Sequence, residues 1–291
     1  MKRLDFINKR GDVLSLLNNQ YFSLTHVDGM TEGSASLSSS TVGGVDGDTV
    51  NNVQAQPRTI IFDLRVKSGI EVETAKREIL KVIKLKQIGT LEWEQDDRTI
   101  IISGTVESAE MPRWGKGVVM QVTLHCSQPF WEDAETIVRE ISEAIDVHYF
   151  EENPYGMLYF PAEGIVLGEF DARRTKEFYN AGDVAVGLEI TIVALGTVNN
   201  PIIYDNEGGF LGVGYGEGAR KVTMKSGDVI VISTLKGKKT ATLNGANVMH
   251  KVKPQSKWLQ LETGDNAFTI NSDDVDKTNM NFTITYKQRY L

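Results

Sequence analysis

The chain is poor in cysteine and histidine. Among 291 residues there is one cysteine, Cys126, so no disulfide can form within it. That cysteine ends the apolar run Val118–Cys126 and reads as a small core side chain. The four histidines, His26, His125, His148 and His250, lack the paired spacing of a metal site and read as surface or internally satisfied side chains. No run approaches the ~18 apolar residues that a bilayer-spanning helix needs. The start, Met1-Lys2-Arg3-Leu4-Asp5, has no apolar signal-peptide segment, which predicts folding in a cytoplasm. Basic residues are in the minority: 31 Lys and Arg face 39 Asp and Glu, for a net charge of −8. This argues against a cationic grip on nucleic acid. Ordinary solubility explains an acidic surface, and so does a channel wall that repels phosphate.

What is present is a packable, β-rich chain. Hydrophobic residues make up 41%, enough for a core. The length predicts two domains, divided here into 1–150 and 151–291, with a linker near Phe150-Glu151-Glu152-Asn153-Pro154. From about Tyr179 onward, short β-branched runs alternate with the turn dipeptides Gly182-Asp183, Gly227-Asp228, Asn244-Gly245 and Gly264-Asp265. Such spacing predicts an antiparallel β-sandwich.

The first half mixes patterns. Leu4–Ile7, Val13–Leu17, Tyr21–Val27, Arg58–Val66, Leu91–Glu94, Arg98–Val106 and Val118–Cys126 read as strands. Glu71–Lys86 reads as a helix, with Val72, Ala75, Ile79, Leu80 and Ile83 on one face. Its first turn is acidic and its last turn basic, as the helix dipole favours. These elements predict an α+β domain, β-rich with one main helix. Residues 132–147 are ambiguous: Ile137, Ile141 and Ile145 recur at helical spacing, while the β-branched content favours a strand. Asp28–Gln56 is rich in Gly, Ser, Thr and Asp and has little apolar surface to pack by itself. A segment of that kind is functional or disordered, and it could order on a neighbouring subunit.

Four motifs invite a chemical reading, and each has a plainer one. Gly208–Gly218 resembles a phosphate loop, but no helix pattern follows it and Glu217 stands where a dinucleotide fingerprint has its third glycine. A glycine-rich connection between strands explains it better. Ser233-Thr234-Leu235-Lys236 matches an acylating Ser-x-x-Lys, yet it ends an alternating strand and runs into a turn. Asp46-Gly47-Asp48 and Ser272-Asp273-Asp274-Val275-Asp276 offer oxygens for a cation, but polar turns account for both. Trp114, Trp131 and Trp258 could stack on a sugar, although core packing is the simpler role. No catalytic, cofactor-binding or metal-ligating residue is assigned, and no cofactor is expected.

Taken in order, several segments resemble the distal tail proteins of long-tailed bacteriophages. They are Cys126-Ser127-Gln128-Pro129-Phe130-Trp131, Tyr179-Asn180-Ala181-Gly182-Asp183-Val184 and Val198-Asn199-Asn200-Pro201-Ile202-Ile203. Ser226-Gly227-Asp228-Val229, Trp258-Leu259-Gln260-Leu261 and Gly264-Asp265-Asn266 follow. The resemblance implies an α+β ring-forming domain and a galectin-like β-sandwich. It further implies a ring, usually a hexamer, that joins the tail tube protein to the tail-tip hub and receptor-binding proteins. The expected place is the virion tail, assembled in the host cytoplasm. No enzymatic activity, specific nucleic-acid binding or membrane partner is implied. The length of the polar segment Asp28–Gln56 departs from the family pattern. A carbohydrate-binding module for a bacterial surface polymer is the alternative, and an enzyme is a third reading for which no credible site spacing exists.

Overall fold

The computed structural model describes residues 2–31, 33–41, 43–44, 46–95, 98–111, 118–140, 143–145, 169–171, 175–274 and 279–291. The chain divides into two compact units.

The first unit comprises Met1–Glu135 and Arg289–Leu291. Its strands are β1 (Arg3–Asn8), β2 (Val13–Ser15), β3 (Phe22–Asp28), β4 (Ala35–Ser40), β5 (Thr49–Ala55) and β6 (Arg58–Val66). After the helix α1 (Val72–Val82) come β7 (Ile88–Glu94), β8 (Thr99–Glu110), β9 (Val119–Cys126) and β10 (Trp131–Asp133). The main sheet runs β2-β1-β7-β8-β9-β6-β3, all pairs antiparallel. Alternation decides its faces. On β6, Arg58, Ile60, Phe62 and Leu64 are buried, while Thr59, Ile61, Asp63 and Arg65 point the other way. Helix α1 buries Ala75 and Ile79, and Ile79 joins the core with Ile83 just past the helix end. The ring of Phe6 packs so tightly over Gly89 that a Cβ there would overlap it.

One strand of this unit comes from the far end of the chain. Arg289–Tyr290 pairs with β10, Trp131 opposite Tyr290 and Glu132 opposite Arg289. The Arg289 guanidinium binds Glu132 Oε1 at 2.6 and 2.8 Å, and the Tyr290 hydroxyl donates to Asp133 at 3.1 Å. Trp131 is buried, donates its indole N–H to the Met30 carbonyl at 2.9 Å, and meets Trp93 edge-on. Burial beside this cluster pushes the Cys126 thiol up to about 11.

The second unit comprises Thr136–Gln288. It begins with β11 (Ile137–Glu140), β12 (Glu143–Ile145), β13 (Glu169–Asp171), β14 (Thr175–Asn180), β15 (Val186–Gly187) and β16 (Glu189–Ala194). It continues through β17 (Val198–Asn199), β18 (Ile202–Asp205), β19 (Phe210–Gly212), β20 (Thr223–Met224), β21 (Val229–Ser233), β22 (Thr240–Leu243) and β23 (Ala246–Asn247). The last are β24 (Gln260–Leu261), β25 (Gly264–Asn271) and β26 (Met280–Tyr286). One sheet has the order β11-β26-β16-β21-β22-β23, another β14-β25-β18-β19. Side chains from both share one apolar cluster, with Ile190, Ile192, Ile230, Ile232, Phe282 and Ile284 from the first and Phe178, Ile203, Leu211 and Phe268 from the second. Asn244 and Gly245 both take positive φ (48° and 79°) in the two-residue turn between β22 and β23, the backbone that the Asn-Gly dipeptide favours.

Three differences from the sequence reading stand out. The units do not divide as 1–150 and 151–291. Strand β11 pairs with β26 and so joins the second unit, and Arg289–Leu291 belongs to the first. The expected linker at 150–154 lies outside the described residues. Among the described residues of the ambiguous stretch 132–147 the β-branched content prevails over the helical spacing, because Ile137 finds a strand partner in Tyr286 and packs on the second core. Finally, the polar segment contains a regular hairpin, β4 with β5.

Candidate functional site

The chemical candidates are scattered over the fold. His26 lies on β3, His125 on β9 and His250 in a short 3-10 turn at Met249–Lys251. His148 and Trp114 lie outside the described residues. Among the described residues no group of three or more His, Cys, Asp or Glu is gathered to hold a metal. Ser233 is buried at the end of β21, and Lys236 follows in a turn, without the helical turn a Ser-x-x-Lys pair needs.

The glycine-rich segment is built around Asn200 rather than around a ligand. Asn200 sits at φ 48°, accepts the Val222 N–H at 2.9 Å, and donates to Asp273 at 2.6 Å. Gly214, at φ 90°, passes so close that a Cβ would meet the Asn200 side chain. Asp274 accepts both the backbone N–H and the side-chain amide of Asn199, each at 2.6 Å. Burial alone would raise the Asp274 carboxyl, but these bonds, a Ser272 contact and the Lys221 charge hold it below the usual carboxylate range. The oxygens that could have gathered a cation therefore close loops. Asp276, the remaining member of that candidate, lies outside the described residues, and Asp46 and Asp48 are exposed between β4 and β5.

The tryptophans separate by role. Trp131 is core, as above. At Trp258 the alternation places Leu259 and Leu261 in the core and leaves the indole half-buried against it. The Lys239 ammonium lies 5.4 Å over that ring. A cavity of about 60 Å³ beside it is lined by Asp205, Glu207, Lys257 and Gln260, among others. Lys257 is paired with Asp205 and Glu207 at 3.8 and 3.6 Å. Ligand pockets run to roughly 300–1,000 Å³, so this one is too small to enclose a sugar ring.

The feature that remains is the β4–β5 hairpin. Every one of its strand residues is exposed. It forms a two-stranded sheet of its own. Register puts Ala35 opposite Ala55, Leu37 opposite Val53 and, past a bulge at Ser38/Ser39, Ser39 opposite Val50. One face thus carries Leu37, Val50 and Val53, each at least half exposed, and the other carries Ser36, Ser38, Asn52 and Gln54. An isolated hairpin is marginal in water, and an exposed apolar strip marks a contact surface. Composition had shown only a polar segment. The signal within it was Leu37 alternating with serines and Val50 and Val53 following a Gly-Asp turn.

Residues 181–290 match the family model described as the siphovirus-type tail component, C-terminal domain. These residues include five of the six segments on which the resemblance was drawn, the second from Ala181 onward. The crystal structure of phage SPP1 Dit, titled a paradigm of hub adsorption apparatus in Gram-positive infecting phages, aligns over 99% of this chain and 99% of its own. Identity is 15% and the TM-score 0.67, so the likeness shows a shared fold across both units. A chain of the phage p2 baseplate, in its activated conformation with Sr, aligns over 97% of each chain at 13% identity and a TM-score of 0.49. No curated protein sequence matches the chain. Among the described residues no helix is long and apolar enough to cross a membrane.

Proposed function

We propose that this protein is a structural subunit of a phage tail tip or baseplate. Copies of its first unit form a ring, six to the ring, that joins the tail tube protein to the tail-tip hub and receptor-binding proteins. The second unit is a galectin-like sandwich. The protein acts in the virion tail after assembly in the host cytoplasm, and it is not an enzyme. The observation that carries the reading is the match of residues 181–290 to a siphovirus-type tail component, with a fold shared over 99% of the chain with SPP1 Dit. The acidic balance, −8 overall, supports a ring through which DNA passes without being held. The carbohydrate alternative has less support, because the Trp258 cavity is small and its polar groups pair with one another.

The test is the absolute mass of the purified chain by light scattering, with negative-stain images. Six copies, or two stacked sets of six, around an open centre are expected. A chain that stays single even when mixed with its tube and tip proteins would overturn the ring. Glycan-array binding lost in Trp258→Ala would favour the alternative.

A further inference from the structure

The first unit carries two apolar patches at opposite ends of one sheet. The hairpin β4–β5 is inserted between β3 and β6, which end the strand order on one side. Its apolar strip is Leu37, Val50 and Val53. The other end of the order is β2-β1-β7. There Val13 lies opposite Ile7, Ile7 lies opposite Thr90, and Ile88 follows on the same face as Thr90. Leu85 sits in the turn leading into Ile88. Val13, Leu85 and Ile88 are each more than half exposed. This face is the one turned away from the core, which is lined by Leu4, Phe6, Leu14 and Leu91.

The charges beside the patches are opposite. From Asp28 to Pro57 there is no Lys or Arg, and the loop at the hairpin's turn exposes Asp46 and Asp48. The second patch is flanked by Lys84 and Lys86 on either side of Leu85 and by Lys9 in the β1–β2 turn, while the acidic groups near it are engaged locally, Asp12 with Asn8 and Asp5, Glu92 and Glu94 with Arg3. Two different, complementary surfaces at opposite ends of one unit are what a head-to-tail contact requires. Contacts of that kind close into a ring when the rotation between copies closes and otherwise build an open filament, whereas a two-fold contact would need one self-complementary patch. We infer that the apolar face of the β4–β5 hairpin of one copy seats on the β2–β1–β7 edge of the next copy, with its acidic turn against the lysines there. The occupant of each patch is a second copy of this chain. The inference rests on the ring reading above and names the contact that builds it.

Two single-cysteine variants of the full chain, Val53→Cys and Ile88→Cys, test the seat. The native Cys126 is buried and contributes little background. Under mild oxidation the mixture is expected to give covalent dimers that neither variant gives alone, and the double variant a ladder up to the closed ring. The exposed pair Leu37→Asp with Val53→Asp is expected to reduce the mass to one chain while circular dichroism stays unchanged. Asp46→Lys with Asp48→Lys is expected to weaken assembly, and Lys84→Glu with Lys86→Glu to restore it. A ring that forms without cross-links, or that survives Leu37→Asp with Val53→Asp, overturns this contact and leaves the ring itself standing. A wild-type chain that never self-associates overturns both.

Discussion

Replacing Tyr290 tests whether the last residues of the chain belong energetically to the first unit. The side chain is 7% exposed, its ring lies 4.0 Å beneath the Arg98 guanidinium, and its hydroxyl reaches Asp133 at 3.1 Å. Truncation of a buried aromatic side chain to alanine costs about 3–5 kcal/mol in well-packed cores. Tyr290 sits on a short edge strand, so Tyr290→Ala is expected near the lower figure. Tyr290→Phe removes only the hydroxyl contact and should cost roughly 1 kcal/mol. The effect must appear in the first unit. Hydrogen exchange read by mass spectrometry should speed up across β8 and β10 and stay unchanged across β16, β21 and β26. Burial, reinforced by the Asp133 charge, raises the Tyr290 hydroxyl above its usual value. The stabilisation is therefore fully present below the unfolded-state value near 10, and is lost as pH rises through the folded-state value. The alkaline loss of first-unit stability should therefore shrink in Tyr290→Phe. Unchanged exchange in the first unit of Tyr290→Ala, or faster exchange confined to the second, would refute the reasoning.

Two further substitutions probe the cores. Gly89→Ala places a Cβ against the Phe6 ring and should destabilise the first unit by about 1–3 kcal/mol in urea titration, with Phe6→Leu recovering part of the loss. If the double variant is no better than Gly89→Ala alone, the close approach is not the cause. Asp274→Asn, which removes charge-assisted bonds from Asn199, should cost the second unit roughly 1–3 kcal/mol at pH 7. Because the Asp274 carboxyl is depressed, its contribution is present above the unfolded-state value near 4 and is lost as pH falls through the folded-state value. Wild type and Asp274→Asn should thus converge in stability in acid, and a gap that persists below that window would count against the assignment.

Much of the fold was written in local pattern. Arg58–Val66 alternates so regularly that strand β6 has the same limits in sequence and structure. The 3–4 spacing from Val72 to Ile83 specifies α1, and Asn244-Gly245 specifies its turn because few other residues tolerate two successive positive φ values. The candidate assembly surface was legible only as a polar segment rich in Gly, Ser, Thr and Asp.

Other features required the tertiary structure. No periodicity can tell that Arg289–Tyr290 pairs with β10 at a separation of 157 residues, because strand pairing is a non-local choice and the local signal is two residues long. The stretch from Ile137 carried helix and strand signals together, and the open edge of β26 selected the strand. At Trp258 the alternation was visible but its sense was not, and only the packing of Leu259 and Leu261 into the second core turned the indole outward. The two exposed apolar patches are separated by most of a sheet, so their complementarity exists only once that sheet is folded. By itself the sequence determined most of the elements and the family likeness. The tertiary structure decided which edges pair and which apolar side chains are left for a partner, because both depend on contacts between residues far apart in the chain.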